Sequence, residues 1–521
     1  MPTFIRWQVP SELSAEEQRV AQKLRRIGKF YVFLRAVRAE LCDDAFQAEL
    51  AAASQPRGMA PLPPALLAMV TLLQASPQVG DAEAVVAAEL DPRWQMPLGG
   101  LGATEAPFSQ GALVKFRDRM IAHDLDRKLL DRTVALAKRR GGFGWQALRA
   151  ALDSSPLLGA GRVEDTWNLL GRALRAVATC AAKTLKVSRA QVLRDAGVTL
   201  VGASSLKAAL DIDWGDPAAQ AEALARLLAE VDRLEQWVAT HVPVADAPPV
   251  QAALTALRRV LTQDLEPDPT TGQRRIRRGV AAERMPSLGD PELRHGRKTR
   301  TRPFTGYKRH VITLVDLDLI VGAEVRPANE PEHQTLARLT PTAAQHGPLA
   351  DMLIDRGYLG SPHGGELHAQ GVTIRAKAWT SPHGGRFPKQ AFVIQLAERR
   401  VTCPAQQTAA IPAGATTVHF AATVCQPCPL RAACTTATRR GRTITIHPQE
   451  ALLQRLRVEQ HHPDGRARLR QRTTVEHSLA RVNQIQGPKA RYKGIRKNTL
   501  DVRRVAVVAN LQRIARLPQA A

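Results

Sequence analysis

The chain has 521 residues, enough for three or four domains at roughly 100–200 residues each, and its 44% hydrophobic content excludes a disordered protein. Lys and Arg number 73 against 48 Asp and Glu, a formal charge of +25 with a pI near 10.7. Such a balance argues for a polyanionic partner, because neutralising phosphates releases counterions. The charge is clustered: Arg274 to Arg309 holds 12 Lys/Arg against 3 acids, and Arg455 to Arg504 holds 14 against 4. No segment approaches the roughly 18 apolar residues that span a bilayer; the run Ala65–Val70 is among the longest. Met1-Pro2-Thr3-Phe4 lacks a charged segment leading into an apolar one, so no secretory signal and a cytoplasmic location are expected. Six cysteines do not make a disulfide framework, and four of them cluster late in the chain.

Residues 1–140 read as mostly helical. Ser14 with Glu17 three residues later forms a capping box. Helices fit Pro64–Gln74 and Asp81–Glu89, and Ser109 caps another whose apolar residues Leu113, Phe116 and Met120 fall at helical spacing. Its other face carries Lys115, Arg117 and Arg119, which is compatible with a helix-turn-helix DNA reader and equally with a helical bundle with a solvated face. Gly141-Gly142-Phe143-Gly144 breaks the pattern, and Leu148–Leu152 reads as a short strand ending at Asp153. Residues 163–264 turn helical again, with periodic Leu224, Leu227, Leu228, Val231 and Leu234; Glu266–Arg278 reads as a loop. Gly306–Val315 and Leu319–Arg326 are β-branched runs joined by Asp316-Leu317-Asp318, a hairpin connection. Thr335–His346 reads as a helix, Met352–Ile354 as a buried parallel strand, and Val372–Ala376 as a further strand.

Transferring a phosphodiester needs an activated water or 3′-hydroxyl and charge neutralisation at phosphorus, which two Mg²⁺ ions roughly 3.5–4 Å apart supply. Mg²⁺ takes oxygen ligands, usually carboxylates, so an acid at the end of an apolar strand in a basic chain stands out. Asp355 follows Met352-Leu353-Ile354 directly, at the end where α/β sheets place ligands, and Gly357 leaves room for close approach. A loop-capping role is its alternative. Asp153 ends the Leu148–Leu152 run, although Asp-Ser-Ser-Pro is also an ordinary strand exit. Glu476 falls on a helix with Val475, Leu479 and Val482 on its buried side, and Arg472 one turn earlier offers an i,i+4 pair as the plain explanation.

In order along most of its length, the chain resembles bacterial insertion-sequence transposases of the DDE superfamily. The resemblance rests on Pro64-Ala65-Leu66-Leu67, Phe116-Arg117, Leu152 through Gly161 and Glu164 through Trp167. It continues through Asp290 to Lys298, Gly306 to His310, Pro327-Ala328-Asn329 and Asp355-Arg356-Gly357-Tyr358. It ends with Arg472 through Glu476, Arg491 through Gly494 and Asn510-Leu511. The resemblance implies an α/β protein with a ribonuclease-H-like catalytic core, compatible with the order of elements. It further implies an Asp-Asp-Glu triad of Asp153, Asp355 and Glu476 holding Mg²⁺ or Mn²⁺, with Asp290 the rival for the first acid. The organisation expected is a helical DNA-binding domain at 1–140, the first core strand at 141–160, and a helical insertion and basic loop at 161–280. The core then occupies 281–400, a cysteine-rich insert 401–440, and the C-terminal helical part of the core 441–521.

Arg294, Arg297, Lys298, Lys308, Arg309, Arg472, Arg481, Arg491 and Lys493 are the expected phosphate contacts. A related signature has Lys seven residues after the Glu and Tyr three before the Arg; Asn483 and Leu469 stand there instead, with Arg481 the candidate substitute. Cys403, Cys425, Cys428 and Cys434 include a Cys-x₂-Cys pair and supply four thiolates for a structural Zn²⁺, or else are reduced thiols in a loop. The resemblance implies double-stranded DNA with terminal inverted repeats as substrate and a homodimer that pairs two ends. A DNA-binding protein with a decayed site and a ribonuclease-H-like nuclease are the alternatives.

Overall fold

The computed structural model describes residues 5–8, 10–24, 28–53, 62–141, 145, 147–203, 205–243, 247–379 and 384–517. Met1–Phe4 and the Gly142-Phe143-Gly144 part of the expected break lie outside the described residues. The protein is mixed α/β, about half helical, with a central mixed sheet.

The first 141 residues are helical where described. Ser14 caps Ala15–Lys23 through the full capping box with Glu17. Pro64–Ala75 is buried along its whole length, and Ser109 caps Gln110–Ala122, whose Leu113, Phe116 and Met120 face inward. These apolar faces join one core with the sheet and with the long helix Ile495–Ile514, so the N-terminal helices share the sheet's core. Arg117, on the face expected either to read DNA or to lie in solvent, is paired with Asp81.

The sheet is built from β1 (Leu148–Leu158), β4 (Arg294–Thr299), β5 (Arg302–Leu314), β6 (Leu319–Pro327), β7 (Leu349–Ile354) and β8 (Thr373–Arg375). Between β1 and β4 lies a separate ribbon of β2 (Leu265–Pro267) and β3 (Arg274–Ile276). In the sheet β6 pairs antiparallel with β5, β5 antiparallel with β1, β1 parallel with β7, and β7 parallel with β8. The start of β5 also carries β4. Two expectations are corrected here. First, β1 does not stop at Asp153: β5 continues to pair with it as far as Leu158. Pro156, which lacks an N–H, is tolerated because the ladder to β7 ends at Leu152, leaving that side of the strand open. Second, Glu266–Arg278 is not a loop throughout, since Leu265 pairs with Ile276 and Pro267 with Arg274.

The insertion runs from Thr166–Leu185 to Pro248–Asp264 and has its own core, in which Leu170, Leu174, Leu227 and Leu257 are fully buried. Residues 387–446 form a third, small core of Phe392, Val401, Val418, Phe420 and Ile444, held by short antiparallel strands. Among the described residues no helix is long and apolar enough to cross a membrane.

Candidate active site

The parallel ladder between β1 and β7 pairs Leu152 with Ile354. The next residue in each chain segment is an aspartate, so Asp153 and Asp355 come side by side where the parallel ladder ends, Asp355 just past the C-terminal end of β7 and Asp153 midway along β1. This is the edge where open α/β sheets hold ligands. Asp355 accepts the Tyr358 N–H on its backbone oxygen, which starts the single turn Arg356–Tyr358 and lets the chain leave the sheet at once. Ser154 donates its N–H to Asp153 Oδ1 at 2.7 Å.

The third acid arrives from the other end of the chain. Thr473–Gln486 buries Val475, Leu479 and Val482 and packs on β1 and β5. That seating puts Arg472, at its N-terminus, over the strand ends. Arg472 donates to Asp153 Oδ2 at 2.7 Å and to Glu476 Oε1 at 2.6 Å. The i,i+4 pair expected from the sequence is therefore present, and it is one half of a bridge that joins two of the three acids. Asp355 and Glu476 line a shared cavity of about 620 Å³ with Arg472.

The electrostatics follow from this crowding. Burial pushes the Asp153 carboxyl above the ordinary aspartate range, and Asp355 pushes the same way, against Arg472 and the Ser154 N–H. Asp290 sits elsewhere: it is fully buried, and its Oδ1 accepts from the Tyr307 hydroxyl at 2.5 Å and the Gly494 N–H at 3.1 Å. It pins β5 to the start of Ile495–Ile514.

Sequence reasoning missed Glu332. Its Oε1 accepts from Ser154 Oγ at 2.7 Å, and Lys308 Nζ lies 3.8 Å from the same oxygen. A fourth carboxylate thus stands beside Asp153 through one serine. Its signal was its position three residues after Asn329 in the Pro327-Ala328-Asn329 motif. Tyr358, next to it, is buried and shares a 2.8 Å hydrogen bond with His310, whose imidazole burial holds neutral with a pKa near 3.

The expected phosphate contacts separate into two groups. Arg297, Lys298 and Lys493 are exposed. The others are engaged by the protein. Arg309 is 1% exposed and donates to Ser155, Gln486, Gly487 and Asn483, so it is an interior residue and not a surface contact. Burial lowers its pKa to about 10. Arg481 bonds Asp318 at the hairpin turn, Arg491 bonds the Val79 carbonyl, Arg294 bonds the Pro291 and Leu293 carbonyls, and Lys308 bonds the Glu330 carbonyl.

Cys403, Cys425, Cys428 and Cys434 line one pocket with Phe387, Phe420 and Leu430. Burial raises the Cys434 thiol, and the other three cysteines push it the same way while Arg442 opposes them. Four cysteine sulfurs around one pocket form a donor set whose chemistry fits Zn²⁺. The carboxylates at the strand ends likewise fit a hard divalent cation, which would relieve the crowding of Asp153 by Asp355. Among the described residues no group of three or more His, Cys, Asp or Glu is already gathered to ligand distance.

Residues 402–515 match the family model described as the transposase DDE domain, which supports a transposase of the DDE superfamily. The matched stretch carries Arg472, Glu476 and the four late cysteines, while Asp153 and Asp355 precede it. No curated protein and no solved structure matches the chain.

Proposed function

We propose that this chain is an active DDE transposase that cleaves DNA at the ends of an insertion sequence and joins the freed 3′-hydroxyl to new DNA. The observation that carries the reading is the parallel register of Leu152 with Ile354, which sets Asp153 beside Asp355, with Arg472 linking Asp153 to Glu476. The strand order β6-β5-β1-β7-β8, antiparallel then parallel, supports a ribonuclease-H-like core. Asp153, Asp355 and Glu476 are the residues that would hold Mg²⁺ or Mn²⁺. When bound, the ions supply an activated water or 3′-hydroxyl and neutralise charge at the phosphorus. Arg472 holds two of these carboxylates in place beforehand and is within reach of a phosphate that enters between them. Exposed Arg297, Lys298 and Lys493 are suited to gripping the duplex, and pairing two inverted-repeat ends calls for two copies of the chain.

Loss of one carboxylate from a two-metal site removes several kcal/mol of transition-state stabilisation, about 100-fold or more in rate. Asp355→Ala should therefore bind end DNA as the wild type does and lose Mg²⁺- and Mn²⁺-dependent strand cleavage. Cleavage by Asp355→Ala at a near wild-type rate sinks the assignment.

A further inference from the structure

The cavity that holds Asp355 and Glu476 has a second wall that the triad does not use. Arg356, Lys377, Arg466 and Arg470 line it together with His461. Among the described residues none of these four cations is ion-paired with a carboxylate. Acids on neighbouring elements are already taken: Asp351 and Glu459 by Arg375, and Glu450 by Lys389 and Arg457. With Arg472, five cationic side chains face two carboxylates around one cavity. The Arg356 Nε–H is in addition shielded from solvent with no acceptor among the described residues, a cost the fold leaves standing.

The spacing is also informative. Arg466 and Arg470 lie one turn apart on Pro463–Arg470, which puts them on one face with roughly 5–6 Å between Cβ atoms. Arg466 is aimed by a 2.7 Å bond to the His461 carbonyl. Lys377 stands just past the end of β8 and Arg356 just past Asp355, and both line the cavity with Arg466, Arg470 and the acids. At about 620 Å³ the space matches a small-ligand pocket and is too small for a duplex. The number of unneutralised cations is more than one free anion requires.

We propose that Arg356, Lys377, Arg466 and Arg470 form a cradle for the backbone phosphates of a single DNA strand running on from the cut. The assignment rests on the transposase reading above and names a contact that reading leaves open.

The test is binding by the full chain in EDTA, so that no strand is cut. One fluorescent duplex is blunt, and a second carries a single-stranded thymidine extension. Each salt-dependence slope is measured for the wild type, for Arg466→Gln/Arg470→Gln and for Lys377→Gln. A single strand contributes about 0.7 of slope per neutralised phosphate. The double variant should lose about 1.4 on the extended duplex and Lys377→Gln about 0.7, with the blunt duplex unchanged. These three side chains are exposed and make no ion pair among the described residues, so melting temperatures should fall by no more than the exposed Arg466 bond to the His461 carbonyl contributes. Wild-type slopes on the extended duplex, or equal losses on both duplexes, would overturn the cradle. Loss of binding to free thymidine monophosphate alone would overturn it too, in favour of a mononucleotide site. Those outcomes leave the catalytic reading intact, which fails separately if Asp355→Ala still cleaves.

Discussion

Asp153 combines two demands that oppose each other. It is largely buried on a strand shared with β5 and β7, yet it must be ionised to serve as a ligand. Burial and Asp355 hold its folded-state pKa above the unfolded value. A raised carboxyl pKa contributes stability below the ordinary aspartate range, and that contribution is lost as pH rises through the folded pKa. Asp153→Asn removes the charge and keeps one oxygen to accept the Ser154 N–H, while an amide nitrogen replaces the oxygen to which Arg472 donates. Thermal melts as a function of pH should therefore show the variant more stable than the wild type at pH 7, with the gap closing as the pH falls toward 4. A variant less stable at pH 7 would mean that the Arg472 bridge outweighs the burial cost. A destabilising buried charge kept at the proposed site would be an exchange of stability for activity.

At the scale of elements, the C-terminal helix Ile495–Ile514 is the seat on which the sheet rests. Its Asn510 is buried: the amide donates to Thr133 Oγ1 and the Ile320 carbonyl and accepts the Ile320 N–H. One side chain thereby satisfies the start of β6 and ties it to Leu125–Gly141. Asn510→Ala orphans the buried Ile320 N–H and carbonyl, at about 1–3 kcal/mol for each group. Urea unfolding should show that loss, and a change under about 0.5 kcal/mol would show that water replaces the amide.

Much at this scale was legible in the sequence because it is local. The caps at Ser14 and Ser109, the hairpin around Asp316–Asp318, and the helix bearing Glu476 are each dictated by residues a few positions apart. The apolar run ending at Asp355 was equally readable. What escaped depends on partners far along the chain. Ser154-Ser155-Pro156 looks like a turn until β5 supplies a ladder from 150 residues away. Arg309 looks like a surface cation until Ser155, Asn483 and Gln486 close around it. Glu332 becomes a site residue only because Ser154 reaches it.

At the scale of the molecule, the described residues form three cores, and the smallest has the least to hold it. The core around Phe392, Val401 and Phe420 is a few short strands, with four cysteines at its edge. Four thiolates would leave no open position on a bound Zn²⁺, which suits a structural ion, and folding of this unit would then be linked to metal. Protein purified without chelator should carry about one zinc per chain, fall in melting temperature on chelation, and lose zinc in Cys428→Ser. Zinc-free protein that melts alike with and without chelator would leave reduced thiols. Cys42, buried with its thiol pushed up to about 12, and Cys180 lie in the other two cores and should not contribute.

In the proposed site β1 and β7 deliver the two aspartates that act together, while Asp290 is an internal pin. Single-turnover cleavage of duplex DNA taken from either side of the gene tests this directly, with Asp153→Asn and Asp290→Asn assayed side by side in Mg²⁺. The predicted result is cleavage slowed about 100-fold or more in Asp153→Asn with DNA binding retained, and cleavage within a few-fold of wild type in Asp290→Asn. Near wild-type cutting by Asp153→Asn, with cleavage abolished in a folded Asp290→Asn, would contradict it.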